Sequence, residues 1–159
     1  MVLKIDYKTL FKNLAIPLLI GLASGFLTRE GVEAYSQNAV MPLFTPPDWL
    51  FPVAWTILYV LMGVAAYLVE TTSTEREQKT AQTLYLLQLF FNFCWSFIFF
   101  NFEAYQFAFI WIVILLALIV ATAVEFYKIS KPAAYLMIPY ILWVTFATVL
   151  NYSVYLLNK

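Results

Sequence analysis

Apolar and polar positions along this chain come in long blocks rather than in residue-by-residue alternation. Charged side chains cut it into five apolar windows, at 13–28, 49–69, 80–102, 104–124 and 132–158. A helix crosses a hydrocarbon layer of about 30 Å with about 20 residues. Four windows reach that length; the first does so if it starts near Thr9, with the stem of Lys12 snorkelling to the interface. The pattern predicts an all-α membrane protein, a five-transmembrane-helix bundle. Its helices run at about 9–28, 47–69, 80–101, 104–126 and 132–156, in one domain over 1–159. Residues 29–46 form the longest connection. Pro42, Pro46 and Pro47 each fix φ and remove an amide donor, which predicts a lid loop over one mouth of the bundle rather than a continuous helix. Thr45 is expected to cap the second helix, with Asp48 in its first turn.

Helical spacing then sorts the polar and aromatic residues onto faces. In the third helix Tyr85, Gln88, Asn92, Trp95, Ser96 and Phe99 share a face. Amides in hydrocarbon are costly unless paired, so this face must turn inward. In the second helix the corresponding face is Asp48, Trp55, Tyr59, Met62 and Ala66. In the fifth it is Pro139, Trp143, Ala147, Leu150 and Val154, with Tyr140 and Asn151 at one edge and Phe146 at the other. Two readings are open for this last face. It packs against a neighbouring helix, with Asn151 bonding a backbone group; or it lines a pocket for a flat, apolar, polar-tipped ligand. The fourth helix is almost wholly aliphatic and aromatic and suits lipid or a subunit contact. The run Gly21-Leu-Ala-Ser-Gly25 in the first helix permits close approach, inside the bundle or between two copies. Glu70 to Lys79 reads as an aqueous loop. The turn around Asn101-Phe-Glu103 is so short that it makes the third and fourth helices antiparallel neighbours.

Composition narrows the chemistry. Of 159 residues 64% are hydrophobic and 11% charged, against roughly 45–50% and 25% in soluble domains. The net charge is zero, so nothing draws the chain to nucleic acid. With no histidine and only Cys94, an internal disulfide, a Cys/His zinc site, a histidine-ligated haem and a Ser-His-Asp triad are excluded; no metal or cofactor is expected. The N-terminus lacks a small-residue cleavage site, so the first window reads as a retained span. Seven of the nine basic residues (Lys4, Lys8, Lys12, Arg76, Lys79, Lys128, Lys131) fall on one side, leaving Arg29 and Lys159 on the other. That asymmetry predicts a cytoplasmic N-terminus, with the proline loop outside.

Three motifs resemble a known family. Pro46-Pro47-Asp-Trp49-Leu-Phe-Pro52-Val-Ala-Trp55-Thr-Ile-Leu-Tyr59-Val-Leu-Met62-Gly63 is similar to the second-helix signature of the translocator protein family, whose bacterial members include the tryptophan-rich sensory proteins. Asn92-Phe-Cys-Trp95-Ser96 with Phe99-Phe100, and Pro139-Tyr140-Ile-Leu-Trp143 through Phe146-Ala147 to Leu150-Asn151-Tyr152, follow in the family's order. The resemblance runs from the first helix to about residue 155. It implies a bacterial cytoplasmic-membrane protein, usually a homodimer. Its pocket opens beneath the first loop and takes porphyrins such as protoporphyrin IX, isoquinoline carboxamides and benzodiazepines. Carried over by position, the ligand-binding residues are Trp55, Tyr59, Asn92, Trp95, Trp143, Phe146, Ala147 and Leu150, with Tyr35 reaching in from the loop and Asn151 as a further family position. Gln88 is added as a second donor beside Asn92. Pro42-Leu-Phe44 stands where the family commonly has Pro-Ser-Trp, so a loop tryptophan has no counterpart. Mammalian relatives bind cholesterol; here Tyr155 is followed by Leu156 and Leu157, and Lys159 is the first cation, so no specific sterol site is expected.

Three activities remain in view. The first is a membrane receptor for tetrapyrroles, with indole faces for stacking and Asn92 and Gln88 as donors; the lack of histidine favours a metal-free ring. The second is light- and oxygen-dependent porphyrin breakdown, which the resemblance attaches to Trp55 and Trp143 as oxidisable indoles. No acid–base or nucleophilic constellation accompanies them. The third is porphyrin transport, for which the spans offer few charges and no evident ion path.

Overall fold

A computed structural model describes residues 5–159; Lys4, one of the cations counted for orientation, lies outside the described residues. Helix α1 (Tyr7–Leu27) is followed by a short α2 (Arg29–Asn38), then α3 (Leu50–Thr72), α4 (Glu75–Ser96), α5 (Tyr105–Ile129) and α6 (Lys131–Leu157). All but α2 are long and apolar enough to cross a membrane, so the protein is a five-helix membrane bundle. Asp6 starts α1 by accepting from the Lys8 and Thr9 amides at 3.1 and 3.3 Å. The Thr9 hydroxyl and these amides hold the Asp6 carboxyl below its usual range.

Several boundaries differ from those expected, mostly because helices outlast their apolar windows. Glu70–Lys79 is not an aqueous loop. Helix α3 continues to Thr72 and α4 begins at Glu75, where Glu77 Oε2 accepts from the Thr74 amide at 3.1 Å. Only Ser130 separates α5 from α6. Charged residues therefore lie on helix ends projecting past the hydrocarbon. Residues 29–46 are not all loop either: α2 occupies the first ten, since the prolines that bar a helix lie beyond Asn38. Thr45 does not cap α3. Its amide and hydroxyl both bond the Pro42 carbonyl, and α3 starts later, at Leu50. Asp48 is exposed in the preceding turn and does not share the inner face.

Around the bundle, α1 packs on α3, α3 on α6, α6 on α5, α5 on α4, and α4 lightly on α1. The α1–α3 contact depends on glycine. A Cβ at Gly63 would stand 2.8 Å from the Asn13 carbonyl oxygen and 2.8 Å from Leu14 Cα, and one at Gly21 would strike the Tyr59 ring. Gly21 is thus a packing position inside the bundle, while Gly25 faces open space. Helix α5 divides cleanly: Ala108, Ile112, Leu115, Ile119, Thr122 and Phe126 are buried, while Ile110, Val113, Ile114, Val120 and Val124 are exposed. It begins beside α4 after a tight turn, where Glu103 adopts a left-handed φ of 50°.

Candidate functional site

The inner polar face expected on the third span is present on α4, and it is answered by α3 and α6. Tyr59 Oη donates to Asn92 Oδ1 at 3.0 Å. Asn92 Nδ2 donates to Tyr140 Oη at 2.8 Å, and Tyr140 Oη donates to Gln88 Oε1 at 2.8 Å. The remaining Gln88 Nε2 lies 3.8 Å from Met62 Sδ. All four residues are buried, Gln88 and Tyr140 completely. Hydrogen bonds between membrane helices contribute about 0.6 kcal/mol each, but an orphaned partner costs about 1–3 kcal/mol. The amides here tie three helices together.

Tyr140 is the centre of this network, whereas helical spacing put it at an edge. The buried face of α6 runs through Tyr140, Val144, Ala147, Asn151 and Val154, one position round from the face centred on Trp143; Pro139 is exposed. Helical spacing centred the face on the indole, but the residues that fit between three helices are the smaller ones and the phenol.

A second bonded pair lies nearer the lid. Trp95 Nε1 donates to Asn151 Oδ1 at 3.1 Å, and Asn151 Nδ2 donates to the Tyr105 carbonyl at 2.9 Å. The packing reading of Asn151 holds here: it bonds a backbone group, and it also holds an indole. Just beyond, α4 widens into a π-helical turn, Phe97–Asn101, which aims Phe99 and Phe100 at α2. Tyr35 packs on these rings and on Tyr105, at centroid separations of 5.2, 5.5 and 6.4 Å, with Trp95 stacked on Phe99 beneath. Desolvation, with smaller repulsions from Tyr105 and Asp48, pushes the Tyr35 hydroxyl up to about 12. The lid is fastened at its other end by Asn158. Its Oδ1 accepts from the Val40 amide and its Nδ2 donates to the Val40 carbonyl, both at 2.9 Å.

The remaining expected residues form an aromatic cluster between α3 and α6 on the lid side. Trp143 meets Phe51 at 5.9 Å and Phe146 at 5.7 Å, and the lid residue Phe44 reaches Phe146 at 6.4 Å. Trp55 joins this cluster to the inner network, stacked on Tyr59 at 5.6 Å and edge-on to Tyr140 at 6.2 Å. Trp55, Trp143 and Phe146 are half-buried; Ala147 and Leu150 are buried below them. Trp143 Nε1 is buried and has no hydrogen-bond partner among the described residues.

The expected residues therefore fall into three adjoining groups rather than one ring. Gln88, Asn92 and Tyr59 are bonded in the interior. Trp95, Asn151 and Tyr35 stack toward the lid, and Trp55, Trp143, Phe146, Ala147 and Leu150 border α3 and α6. Asn158 and Tyr105 complete the site and were not anticipated. Asn158 sits in a polar terminus with no periodic signal, and Tyr105 contributes a carbonyl, which any residue type could supply.

Comparison with known proteins gives the family. A model described as "TspO/MBR family" matches residues 13–157. The chain is 37% identical over 151 residues to the Tryptophan-rich protein TspO of Chlorobaculum tepidum, covering 94% of this chain and 96% of that one. It is 37% identical over 141 residues to the protein of the same name in Archaeoglobus fulgidus, covering 89% and 91%. It is 33% identical over 136 residues to the human Translocator protein, covering 84% and 80%.

Proposed function

The chain belongs to the TspO/MBR family, and from that premise we propose that it is a membrane receptor whose lid-side aromatic cluster binds a flat, polar-edged tetrapyrrole such as protoporphyrin IX. The observation that carries this reading is the unpartnered Trp143 Nε1 in a wall of aromatic rings. A buried donor without a partner costs about 1–3 kcal/mol, and a ring bearing carboxylates or carbonyls at its edge can accept from it while its face lies on Phe51, Phe146 and Trp55. Isoquinoline carboxamides and benzodiazepines share that chemistry: a flat apolar body with a carbonyl acceptor. The lid residues Phe44 and Tyr35 would cover such a ligand. In the same reading the protein is a homodimer of the bacterial cytoplasmic membrane, with its N-terminus in the cytoplasm, as the excess of basic residues on that side supports.

The test is fluorescence quenching by protoporphyrin IX in detergent. Trp143→Ala is expected to lose most of the quenching and at least tenfold in affinity, about 1.4 kcal/mol. Unchanged affinity removes the proposed site. Illuminating the loaded protein in air then separates receptor from photochemical enzyme. A protein-dependent absorbing product that vanishes in Trp55→Phe and Trp143→Phe would replace the receptor reading with breakdown.

A further inference from the structure

A second candidate site lies at the end of the bundle away from the lid, between α1 and α4, and shares no residue with the aromatic cluster. Glu70, near the end of α3, pairs with Lys12; its side chain is 17% exposed and that of Lys12 is 53% exposed, so the lysine keeps donors free toward the membrane interface. The second Glu70 oxygen accepts from Asn13 Nδ2 at 2.7 Å. These groups, with Gln82 and Tyr85, line a cavity of about 160 Å³. Tyr85 is 3% exposed, and its hydroxyl has no partner among the described residues.

An apolar groove of about 370 Å³ continues from this cavity along the same two helices, lined by Leu19, Ala23, Leu86, Phe90 and Phe93. Leu86 lines both spaces. Helices α1 and α4 run parallel, and the lining advances in step on each, from residue 12 to 23 and from 82 to 93. Eleven steps at about 1.5 Å give a length of about 16 Å, half of a ~30 Å hydrocarbon layer. A space with two opposite charges at the interface and an apolar trough one leaflet long has the outline of a lipid.

The geometry points to a binding site for one phospholipid with a primary-amine, phosphate-bearing headgroup, of the phosphatidylethanolamine type, drawn from the leaflet on the N-terminal side of α1. The ammonium donates to Glu70, and the phosphate accepts from Lys12 and Gln82. One acyl chain lies against Leu86 and Phe90. Charge-assisted bonds of this kind are the strong ones, and they need N–H donors. A choline headgroup has none, and an anionic glycerol headgroup would face Glu70 without a cation of its own. The light α1–α4 contact leaves room for the chain.

Native mass spectrometry of the detergent-purified protein, incubated with phosphatidylethanolamine, phosphatidylcholine and phosphatidylglycerol, tests this. The amine lipid is expected to be retained roughly tenfold over the other two, the discrimination of one charge-assisted contact. Glu70→Gln should bring the three lipids within about twofold of one another. Ala23→Phe, which fills an exposed stretch of the groove, should lower retention of all three about fivefold. Lys12→Gln, at an exposed position, gives a second reading through the phosphate contact should Glu70→Gln not survive purification, with retention of all three lipids down about fivefold. Glycerophosphoethanolamine, the headgroup without tails, should displace nothing. Equal retention of the three lipids by the unaltered protein, an unchanged preference in Glu70→Gln, unchanged retention in Lys12→Gln, or displacement by the tailless headgroup overturns the proposal. Porphyrin quenching, read at the other end of the bundle, reports that each variant is folded.

Discussion

Two aromatic regions lie on adjacent turns of the same helices and are held in opposite ways. Around Tyr140 the side chains of Tyr59, Asn92, Tyr140 and Gln88 are bonded to one another, and three helices meet through side-chain hydrogen bonds. Around Trp143, one turn toward the lid, rings meet edge-on or tilted and the indole donor is unpaired. In hydrocarbon a fully bonded polar network specifies one arrangement, because each alternative orphans a group. A cluster of rings held by dispersion alone has no such specificity and can part around a guest. The difference teaches a division of labour: the network fixes the distance between α3, α4 and α6, and the cluster beside it stays adaptable.

The sharpest way to break that comparison is Asn92→Leu. Matched in side-chain heavy atoms and branching, it strips the Tyr59 hydroxyl of its acceptor and Tyr140 of a donor. Stability is expected to fall by about 2 kcal/mol, read as a lower melting temperature in detergent. The counterpart in the other region is Trp143→Phe, which removes only the unpaired N–H and part of a ring. It is expected to change stability by less than about 0.5 kcal/mol while weakening protoporphyrin binding about tenfold, or about 1.4 kcal/mol. If Asn92→Leu were silent and Trp143→Phe destabilising, the two regions would have to exchange roles.

The same contrast marks what could be seen in the sequence. The count of spans was legible because hydrocarbon thickness leaves few alternatives. The inward face of α4 was legible because Gln88 and Asn92 cannot face lipid. Their partners were not, since a hydrogen bond between α4 and α6 depends on how far α6 is rotated. That rotation is set by which residues fit between three helices, whereas helical spacing centred the face on Trp143 and left Tyr140 at its edge. Helix α2 was hidden by prolines that lie just past it. The charged connection at Glu70–Lys79 was hidden because helices continue into water once the apolar run has ended. Trp55 and Trp143 were singled out by resemblance; their half-buried setting, with one indole unpaired, came only with the packing.

The lid sharpens the comparison from the other side. Asn158 bonds both main-chain groups of Val40, and nothing in the hydrocarbon core depends on it. Asn158→Ala should leave melting nearly unchanged but ease lid opening by about 1 kcal/mol, seen as faster amide exchange over 35–43 and a roughly fivefold faster release of bound porphyrin. Unaltered release would mean that the lid does not gate the cluster.

The smallest effect belongs to Tyr35, the lid's aromatic anchor. Burial holds its hydroxyl neutral up to about 12, whereas an unfolded or opened lid would release the proton near 10. Proton loss is then easier in the open state, so the contribution of this contact is complete below about pH 10 and disappears as pH rises through about 12. At neutral pH no dependence is expected. An alkaline titration of lid-amide exchange should show protection falling across that window, and Tyr35→Phe, which keeps the ring contacts with Phe99 and Phe100 and removes the ionising group, should flatten it. A fall that survives in Tyr35→Phe would assign the alkaline opening to another group and leave the Tyr35 ring as packing alone.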